Sequence, residues 1–256
     1  MKHDPSSCFF LLGENMQKLL NGDCLELMKD IPDKSIDMIL CDLPYGITAC
    51  KWDNVIPFEP LWEQYNRIIK DNGAIVLFGS EPFSSQLRMS NIKNYKYDWV
   101  WDKKKIGTPL NAKRQPLKIH ENIMVFNKHN YYPIMSVGKY RKKGGVSKQA
   151  EITGKVDLNY SVYNNLYYPK SIIEFSNASQ KGKVHPTQKP VELLEYLIKT
   201  YTNEKETVLD NCMGSGSTGV ACINTNRNFI GIELDENYYK IAENRINSTL
   251  NKECVF

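Results

Sequence analysis

Residues 208–218 read VLDNCMGSGST, a short apolar run that ends in an acid and leads into a glycine-rich segment. The pattern is typical of a strand, a tight turn and a helix that begins near Gly219. Glycines let the backbone approach a ligand closely, and a helix N-terminus offers free N–H groups to an anion. Because such a turn also serves close packing, it does not establish a binding site when it stands alone.

A second predicted strand strengthens this signal. Residues 229–232 (FIGI) are apolar and lead directly into Glu233. An acid at the tip of such a strand is placed to accept hydrogen bonds from ribose hydroxyls. The glycine turn and this acid together predict a site for a nucleoside-containing cofactor.

The rest of the chain alternates short apolar runs with segments of helical periodicity. The runs are rich in Ile, Val and Phe without clean alternation, which suits strands covered on both faces. The predicted strands are 36–40, 74–78, 99–101, 123–126, 207–209 and 229–232. The predicted helices are 61–69, 191–201 and 238–246, the last of them capped by Asp235. We expect Asn72-Gly73 to end the first helix. The alternation predicts an α/β fold with a doubly wound, largely parallel sheet.

A second motif directly follows the first predicted strand. Asp42-Leu43-Pro44-Tyr45 stand after residues 36–41, and functional residues of such sheets lie at the carboxyl ends of strands. The Asp42 carboxylate and the carbonyl before the proline can both accept hydrogen bonds from one amino group. The Tyr45 ring can stack on a flat heterocycle. Tetrapeptides of this kind also occur in ordinary turns, so the motif does not decide the function alone.

Four segments together resemble motifs of the amino-methyltransferases that act on DNA. Residues 42–45 resemble the D-P-P-Y motif, and residues 210–218 resemble the D-P-F-x-G-S-G-T-T cofactor loop. Residues 185–190 (HPTQKP) match a segment found before that loop, and residues 21–24 (NGDC) resemble one found before the catalytic motif. The catalytic motif comes first and the cofactor loop last. This is the order of the β group of site-specific adenine-N6 and cytosine-N4 DNA methyltransferases.

The resemblance implies a Rossmann-like, circularly permuted methyltransferase fold. Its catalytic half would cover residues 1–128 and its cofactor-binding half residues 184–256. Residues 129–183 lie in a stretch rich in Lys, Gly, Tyr, Asn and Ser and would form an inserted target-recognition region.

The resemblance also implies S-adenosylmethionine as the methyl donor. Glu233 would hold the ribose, Asp23 would lie near the adenine or the methionine end, and Lys189 would suit the methionine carboxylate. The turn from Gly214 to Ser217 would face the amino-acid end with its N–H groups. The predicted cofactor-binding residues are Asp23, Thr187, Lys189, Asp210, Cys212, Gly214, Ser215, Gly216, Ser217, Thr218 and Glu233.

The implied chemistry is direct methyl transfer to an exocyclic amine. Asp42 and the Leu43 carbonyl would accept both N–H groups of that amine, and Tyr45 would stack on the extruded base. Pro44 completes the predicted catalytic set. No metal and no covalent enzyme intermediate is required. Aspartate at position 42 favours adenine, because serine is the commoner opening residue in cytosine enzymes.

The chain departs from the family pattern at two places. Leu43 stands where a proline is usual, but the acceptor there is a backbone carbonyl that leucine also supplies. Asn211-Cys212 stand where Pro-Phe is usual. The second departure removes an aromatic contact near the cofactor, and we expect it to weaken cofactor binding.

Positive charge is concentrated in the middle of the chain. Residues 102–148 contain twelve Lys or Arg and two acids, a net charge of +10, whereas the other residues carry 21 basic and 27 acidic side chains, or −6. A basic block on a slightly acidic body favours a polyanionic partner, and the resemblance implies that this partner is double-stranded DNA. A solvated loop would give the same pattern. The candidates for phosphate contacts are Lys103, Lys104, Lys105, Lys113, Arg114, Arg141, Lys142 and Lys143.

Several other functions remain open from the sequence. The same fold could methylate cytosine N4, an RNA or a protein glutamine. A nicotinamide-dependent dehydrogenase would also use Glu233, but it would leave residues 42–45 unexplained. A DNA-binding relative without activity would bind DNA and show no turnover.

The composition favours a cytoplasmic protein without a membrane partner. Seven cysteines without a CxxC pair argue against a disulfide framework and a zinc site. No apolar run approaches the roughly 18 residues of a membrane span, and no signal peptide is expected. A homodimer and a companion restriction endonuclease stay open as partners.

Overall fold

The computed structural model describes residues 7–12, 15–46, 54–107, 109–146, 157–177 and 188–253. Thr187, one of the predicted cofactor contacts, lies outside these residues. The strands found there are β1 (Ser7–Leu12), β2 (Asn15–Asn21), β3 (Ile36–Cys41), β4 (Ile69–Gly79), β5 (Tyr95–Asp102), β6 (His120–Phe126), β7 (Ser136–Val146), β8 (Asp157–Tyr167), β9 (Ile172–Glu174), β10 (Thr207–Asp210) and β11 (Asn228–Glu233). Each predicted strand is present, and most extend beyond their predicted ends.

The described helices include the three predicted ones. They are α1 (Cys24–Leu27), α2 (Phe58–Ile68), α3 (Phe83–Ser90), α4 (Val191–Tyr201), α5 (Ser217–Asn224) and α6 (Glu236–Glu253). The Asp235 carboxylate accepts the N–H groups of Asn237 and Tyr238 at 2.9 and 3.1 Å, which confirms it as the cap of α6. None of the helices in these ranges is long and apolar enough to cross a membrane.

Nine strands form one mixed sheet in the order β1-β2-β11-β10-β3-β4-β6-β5-β9. The central neighbours from β2 to β4 are all parallel. β1 is antiparallel to β2, and β6 is antiparallel to both β4 and β5. β9 pairs in parallel with β5. The predicted α/β fold with a largely parallel sheet is confirmed, and its antiparallel strands lie toward the edges.

Strand β3 shows why the apolar runs lack alternation. Met38 and Leu40 face a core shared with α4, α5 and α6. Ile39 and Cys41 face the opposite core, shared with α1, α2 and α3. Every residue of β3 is therefore buried, as expected for a doubly wound sheet. Burying each large aliphatic side chain contributes about 1.5–3 kcal/mol.

The end of α2 differs from the prediction. The helix ends at Ile68, and Ile69 already pairs with Ile36 in the sheet. The expectation that Asn72-Gly73 ends the helix is wrong, because strand β4 already begins at Ile69, four residues before Gly73. Gly73 is instead a buried strand residue, and a Cβ there would lie 2.8 Å from the carbonyl oxygen of Asp37.

Residues 133–170 form a second compact unit within the segment expected to recognise the target. It consists of the antiparallel hairpin of β7 and β8. Tyr140 and Tyr163 stack with their centroids 5.6 Å apart, and Arg141 and Lys143 lie over the Tyr167 ring at 4.5 and 3.9 Å. β9, also within the 129–183 segment, belongs to the main sheet. The role of this segment in target recognition stays a prediction.

Substitution of Gly73 tests the close approach of β4 to the chain at Asp37. We expect Gly73→Ala to lower the free energy of unfolding by about 1–3 kcal/mol, because the new methyl group meets backbone that has no room to shift. Gly107→Ala is the matched control, since its nearest neighbour would lie at 3.4 Å, an ordinary contact. Urea unfolding of both variants measures the effect. Equal stability of the two would contradict the described packing.

Candidate active site

The carboxyl ends of β3, β10 and β11 surround a cavity of about 650 Å³. The sheet order explains this, because β10 lies between β3 and β11 and all three strands are parallel. Most of the predicted catalytic and cofactor residues line this one cavity: Asp23, Asp42, Leu43, Pro44, Tyr45, Lys189, Asp210, Cys212, Gly214, Ser215, Ser217, Thr218 and Glu233. Gly216 is not among the lining residues.

Asp42 follows β3 directly, and its carboxylate is held from two sides. The Tyr45 hydroxyl donates to Oδ1 at 2.7 Å, and Lys189 Nζ donates to Oδ2. The Tyr45 ring stacks on Phe83 with centroids 4.9 Å apart. Burial raises the pKa of the Asp42 carboxyl, while the Lys189 ammonium opposes this shift. The arrangement presents a fixed oxygen acceptor and an aromatic ring in the same cavity.

Lys189 also faces a second, half-buried carboxylate. Its Nζ lies 3.4 Å from Glu121 Oε2, and the other oxygen of Glu121 accepts a hydrogen bond from Lys103 Nζ at 2.9 Å. Burial would lower the pKa of Lys189, but Asp42 and Glu121 raise it above its ordinary value. Burial likewise opposes ionisation of Glu121, yet Lys189 and Lys103 lower its pKa. The four side chains therefore form a row of alternating charge that is largely withdrawn from solvent.

Two residues of this row, Lys189 and Lys103, are predicted from the sequence to bind ligands. Lys189 is paired with two carboxylates, and its role at the cofactor carboxylate stays a prediction. Lys103 was predicted to bind a DNA phosphate, but it lines the cavity with a side chain that is only 14% exposed.

The glycine-rich turn is held by main-chain and side-chain contacts. Gly214 has φ +52°, in the left-handed region, and its N–H donates to Glu233 Oε2 at 2.8 Å. Gly216 has φ +74°, and a Cβ there would lie 3.0 Å from the Cβ of Ala242 in α6. Gly216 therefore serves the turn and its packing against α6. Arg245, also in α6, donates to the main-chain oxygen of Ser215 at 3.1 Å.

Asp210, the last residue of β10, organises the start of the same turn. The Thr218 hydroxyl donates to Oδ2 at 2.6 Å, and the Cys212 N–H donates to Oδ1 at 3.1 Å. Burial raises the pKa of Asp210 to about 7, although both donors favour the ionised form. The carboxyl is thus held in place inside the protein by contacts at both of its oxygens.

Asn211 shows what replaces the family's Pro-Phe pair. The Tyr65 hydroxyl donates to its side-chain oxygen at 2.6 Å. Its Nδ2 donates to the Sγ atoms of Cys24 and Cys212, both at 3.6 Å. The polar side chain is therefore satisfied within the wall of the cavity. The expected effect on cofactor binding stays a prediction.

Asp23 has a structural role at the N-terminus of α1. Its carboxylate accepts the Leu25 N–H at 2.8 Å, which caps the helix. The side chain is exposed and lines the cavity, so a cofactor contact remains open to it.

The remaining basic candidates lie in two separate parts of the chain. Lys104, Lys105, Lys113 and Arg114 are exposed on the connection between β5 and β6. Lys104 pairs with Glu174 at 2.8 Å. In β7, Arg141 and Lys142 are exposed, whereas Lys143 is half-buried and donates to Asn164 at 2.9 Å. Their contacts with DNA stay predictions.

Several cavity residues were not expected from the sequence. Glu121 is the most informative, because it stands within the basic block and meets Lys189 only through the fold. Phe78, Ser80, Trp101 and Asn177 are further examples. No local pattern identifies these residues, since each is a single side chain on an otherwise ordinary element.

Comparison with known sequences identifies related DNA methyltransferases. A family model described as DNA methylase matches residues 36–244. YhdJ of Escherichia coli K12, a DNA adenine methyltransferase, is 30% identical over 252 residues, which cover 91% of this chain and 84% of YhdJ. M.HpaI of Haemophilus parainfluenzae, a Type II methyltransferase, is 26% identical over 252 residues, or 92% of this chain and 76% of M.HpaI.

Solved structures show the same fold. The complex of M1.HpyAVI with SAM matches with a TM-score of 0.61 and 27% identity, over 90% of this chain and 100% of that chain. The cytosine-N4-specific PvuII DNA methyltransferase matches with a TM-score of 0.64 and 16% identity, over 92% of each chain. The second likeness concerns the fold alone.

The raised pKa of Asp210 predicts a pH dependence of stability. Between about pH 4 and pH 7 the folded protein holds a proton on Asp210 that the unfolded chain releases near its ordinary value of 3.8. This contribution to the free energy of unfolding therefore falls as the pH rises through that window. We expect Asp210→Asn to lose less stability than wild type between pH 5 and pH 7.5 in urea unfolding.

Asp71→Asn is the control, because the Asp71 side chain is 93% exposed. It should keep the pH dependence of the wild type. An unchanged pH dependence in Asp210→Asn would contradict the assignment of a buried, protonated carboxyl.

Proposed function

This chain belongs to the DNA methylase family, whose model covers residues 36–244, and on that premise we propose that it methylates adenine N6. It is an enzyme that transfers a methyl group from S-adenosylmethionine to an exocyclic amine of DNA. One observation carries the proposal. The Asp42–Tyr45 motif, the glycine turn and Glu233 line a single cavity.

The cofactor is proposed to occupy the part of the cavity formed by β10, β11 and the glycine turn. Glu233 would hold the ribose hydroxyls, and its carboxylate already accepts N–H groups from Gly214 and Asp235. These bonds fix the carboxylate, and each oxygen keeps a further lone pair for a ligand. The start of α5 at Ser217 would offer N–H groups to the amino-acid end. Asp23 and Lys189 remain proposed contacts, and Thr187 is proposed from the sequence alone.

Methyl transfer requires help because the target amine is a poor nucleophile. Its lone pair is delocalised into the base, and acceptors for both N–H groups localise that pair on the nitrogen. Asp42 and the Leu43 carbonyl are proposed as these acceptors. The base would stack on Tyr45, whose other face is covered by Phe83. The reaction would then depend on positioning and electrostatics.

Adenine is proposed over cytosine on two grounds. The motif opens with Asp42, whereas serine is the commoner opening residue in the cytosine-N4 enzymes that the sequence resembles. YhdJ, whose name specifies adenine, is 30% identical to this chain. Both bases present the same kind of amine, so the product decides between them.

DNA is proposed to approach along exposed basic residues. Lys104, Lys105, Lys113 and Arg114 would contact phosphates, as would Arg141, Lys142 and Lys143. Such contacts fix position without reading sequence. The target base would leave the stack to enter the cavity, which costs a few kcal/mol. Residues 129–183 are proposed to read the site.

The partners and the cellular location are inferred from the free thiols, the named relatives and the family resemblance. Cys24, Cys41, Cys212 and Cys222 are free thiols, which favours the reducing cytoplasm. Relatives named Type II methyltransferases motivate a companion restriction endonuclease as a proposed partner. A homodimer is a further proposal, taken from the family resemblance.

The product of the reaction tests the proposed function. Wild-type protein is incubated with tritiated-methyl S-adenosylmethionine and mixed-sequence unmethylated DNA, and the labelled nucleoside is identified. We expect N6-methyladenine, with a rate at least about 100-fold lower in Asp42→Asn because the anionic acceptor is lost. Asp33→Asn is the control, since Asp33 is 72% exposed and is not among the residues that line the cavity.

Other products would lead to different conclusions. Label in N4-methylcytosine would overturn the choice of base and keep the mechanism. Absence of label in DNA despite cofactor binding would contradict a DNA-modifying activity.

Salt dependence tests the proposed phosphate contacts. Each phosphate contact adds about 1 to the slope with which the logarithm of the binding constant falls against the logarithm of the salt concentration. We therefore expect Lys113→Gln and Arg114→Gln each to flatten the slope by about 1 in titrations of mixed-sequence duplex. Lys240→Gln is the control, because Lys240 is an exposed lysine of α6 paired with Glu236. A slope unchanged from wild type in both variants would remove these residues from the DNA-binding surface.

A further inference from the structure

Glu121 occupies an unusual position for an acid within a basic segment. It lies in β6, its side chain is 16% exposed, and it lines the cavity that contains Asp42. One carboxylate oxygen accepts a hydrogen bond from Lys103 at 2.9 Å. The other lies 3.4 Å from Lys189 Nζ and is buried without a well-formed hydrogen bond. Glu121 therefore interacts with Lys189 mainly through its negative charge and not through a hydrogen bond.

The positive charge of Lys189 lies close to where the cationic cofactor must bind. Lys189 contacts Asp42, and it also lies 5.1 Å from the centre of the Phe78 ring. An amine held on Asp42 can take the methyl group only if the sulfonium of the cofactor comes close to the same carboxylate. Two cations, the ammonium and the sulfonium, then share a partly desolvated cavity, where like charges repel more strongly than in water.

We propose that Glu121 is a positioning residue for methyl transfer that acts through Lys189. Its carboxylate keeps the ammonium of Lys189 beside Asp42 and offsets that positive charge where the sulfonium must lie. Lys103 anchors the other oxygen of Glu121 and so fixes its orientation. The proposal rests on the proposed function, because it takes Asp42 as the acceptor of the target amine.

The cofactor and its product differ in charge. S-Adenosylmethionine carries a sulfonium cation, whereas S-adenosylhomocysteine, which remains after transfer, carries a neutral thioether. Removing the negative charge of Glu121 should weaken the first ligand and leave the second nearly unchanged. A purely structural role would affect both ligands alike, because they share the adenosine and amino-acid groups.

Two substitutions separate charge from shape. Glu121→Gln keeps the size of the side chain and removes the charge, whereas Glu121→Asp keeps the charge on a shorter side chain. Glu236→Gln is the control, because Glu236 also pairs with a lysine, Lys240, but is 69% exposed on α6. Thermal unfolding of each variant shows whether it is folded before ligands are added.

Titration calorimetry with both ligands is the first measurement. In Glu121→Gln we expect the Kd for S-adenosylmethionine to rise about tenfold, the effect of one charge at short range in a partly buried site. The Kd for S-adenosylhomocysteine should change less than about twofold. Glu121→Asp should keep most of the wild-type ratio of the two constants, and Glu236→Gln should keep all of it.

Steady-state methylation of DNA is the second measurement. We expect kcat of Glu121→Gln to fall about 10- to 100-fold, as for other residues that orient a reacting group through a partner. The KM for DNA should stay within about twofold, since the side-chain contacts of Glu121 are with Lys103 and Lys189, which line the cavity. Glu121→Asp should recover a large part of kcat.

Three results would overturn the proposal. Equal weakening of both ligands would assign Glu121 a structural role, and unchanged constants would assign it none. Equal losses of ligand preference and kcat in Glu121→Asp and Glu121→Gln would show that shape matters instead of charge. If the wild-type protein binds both ligands but methylates no DNA, the proposed function fails, and the ratio of the two Kd values still decides the role of Glu121.

Discussion

The contact of Lys189 with Asp42 is the interaction on which the candidate site depends. A carboxylate withdrawn from water is costly unless a cation and hydrogen bonds stabilise it. Lys189 supplies that cation from a position 147 residues away in sequence, and Tyr45 supplies a hydrogen bond from three residues away. The pair therefore joins the segment that follows β3 to the segment that precedes α4. Without it, Asp42 would hold its proton more readily and would be a weaker acceptor.

The order of the strands converts this contact into a usable site. β10 lies between β3 and β11, so the turn after β10 opens between Asp42 and Glu233. The two motifs are far apart in sequence, yet they line one cavity because their strands are parallel neighbours. Helices cover both faces of the sheet. Loops form the edge at which the carboxyl ends of the parallel strands meet, and this edge contains the cavity. This geometry explains how a permuted order of motifs still yields one binding pocket.

Sequence patterns predict six of the eleven described strands, three of the six described helices and the motif residues that line the cavity, because these follow from local apolar periodicity and short motifs. They failed where tertiary pairing decides the outcome. Ile69 leaves the helix because it pairs with Ile36, although its apolar spacing fits a helix equally well. Glu121 and Arg245 gain their roles from partners on other elements, and neither stands in a recognisable motif. The pairing of Lys103 with Glu121, in place of solvent exposure, has the same cause.

The central claim is that one cavity brings the cofactor's methyl group to the acceptor Asp42. A crystal structure of the protein with bound S-adenosylmethionine tests it most directly. The account predicts that the ribose hydroxyls contact Glu233 and that the sulfonium methyl points toward the Asp42 carboxylate. A cofactor bound with its ribose away from Glu233 and its methyl group turned away from Asp42 would contradict the account.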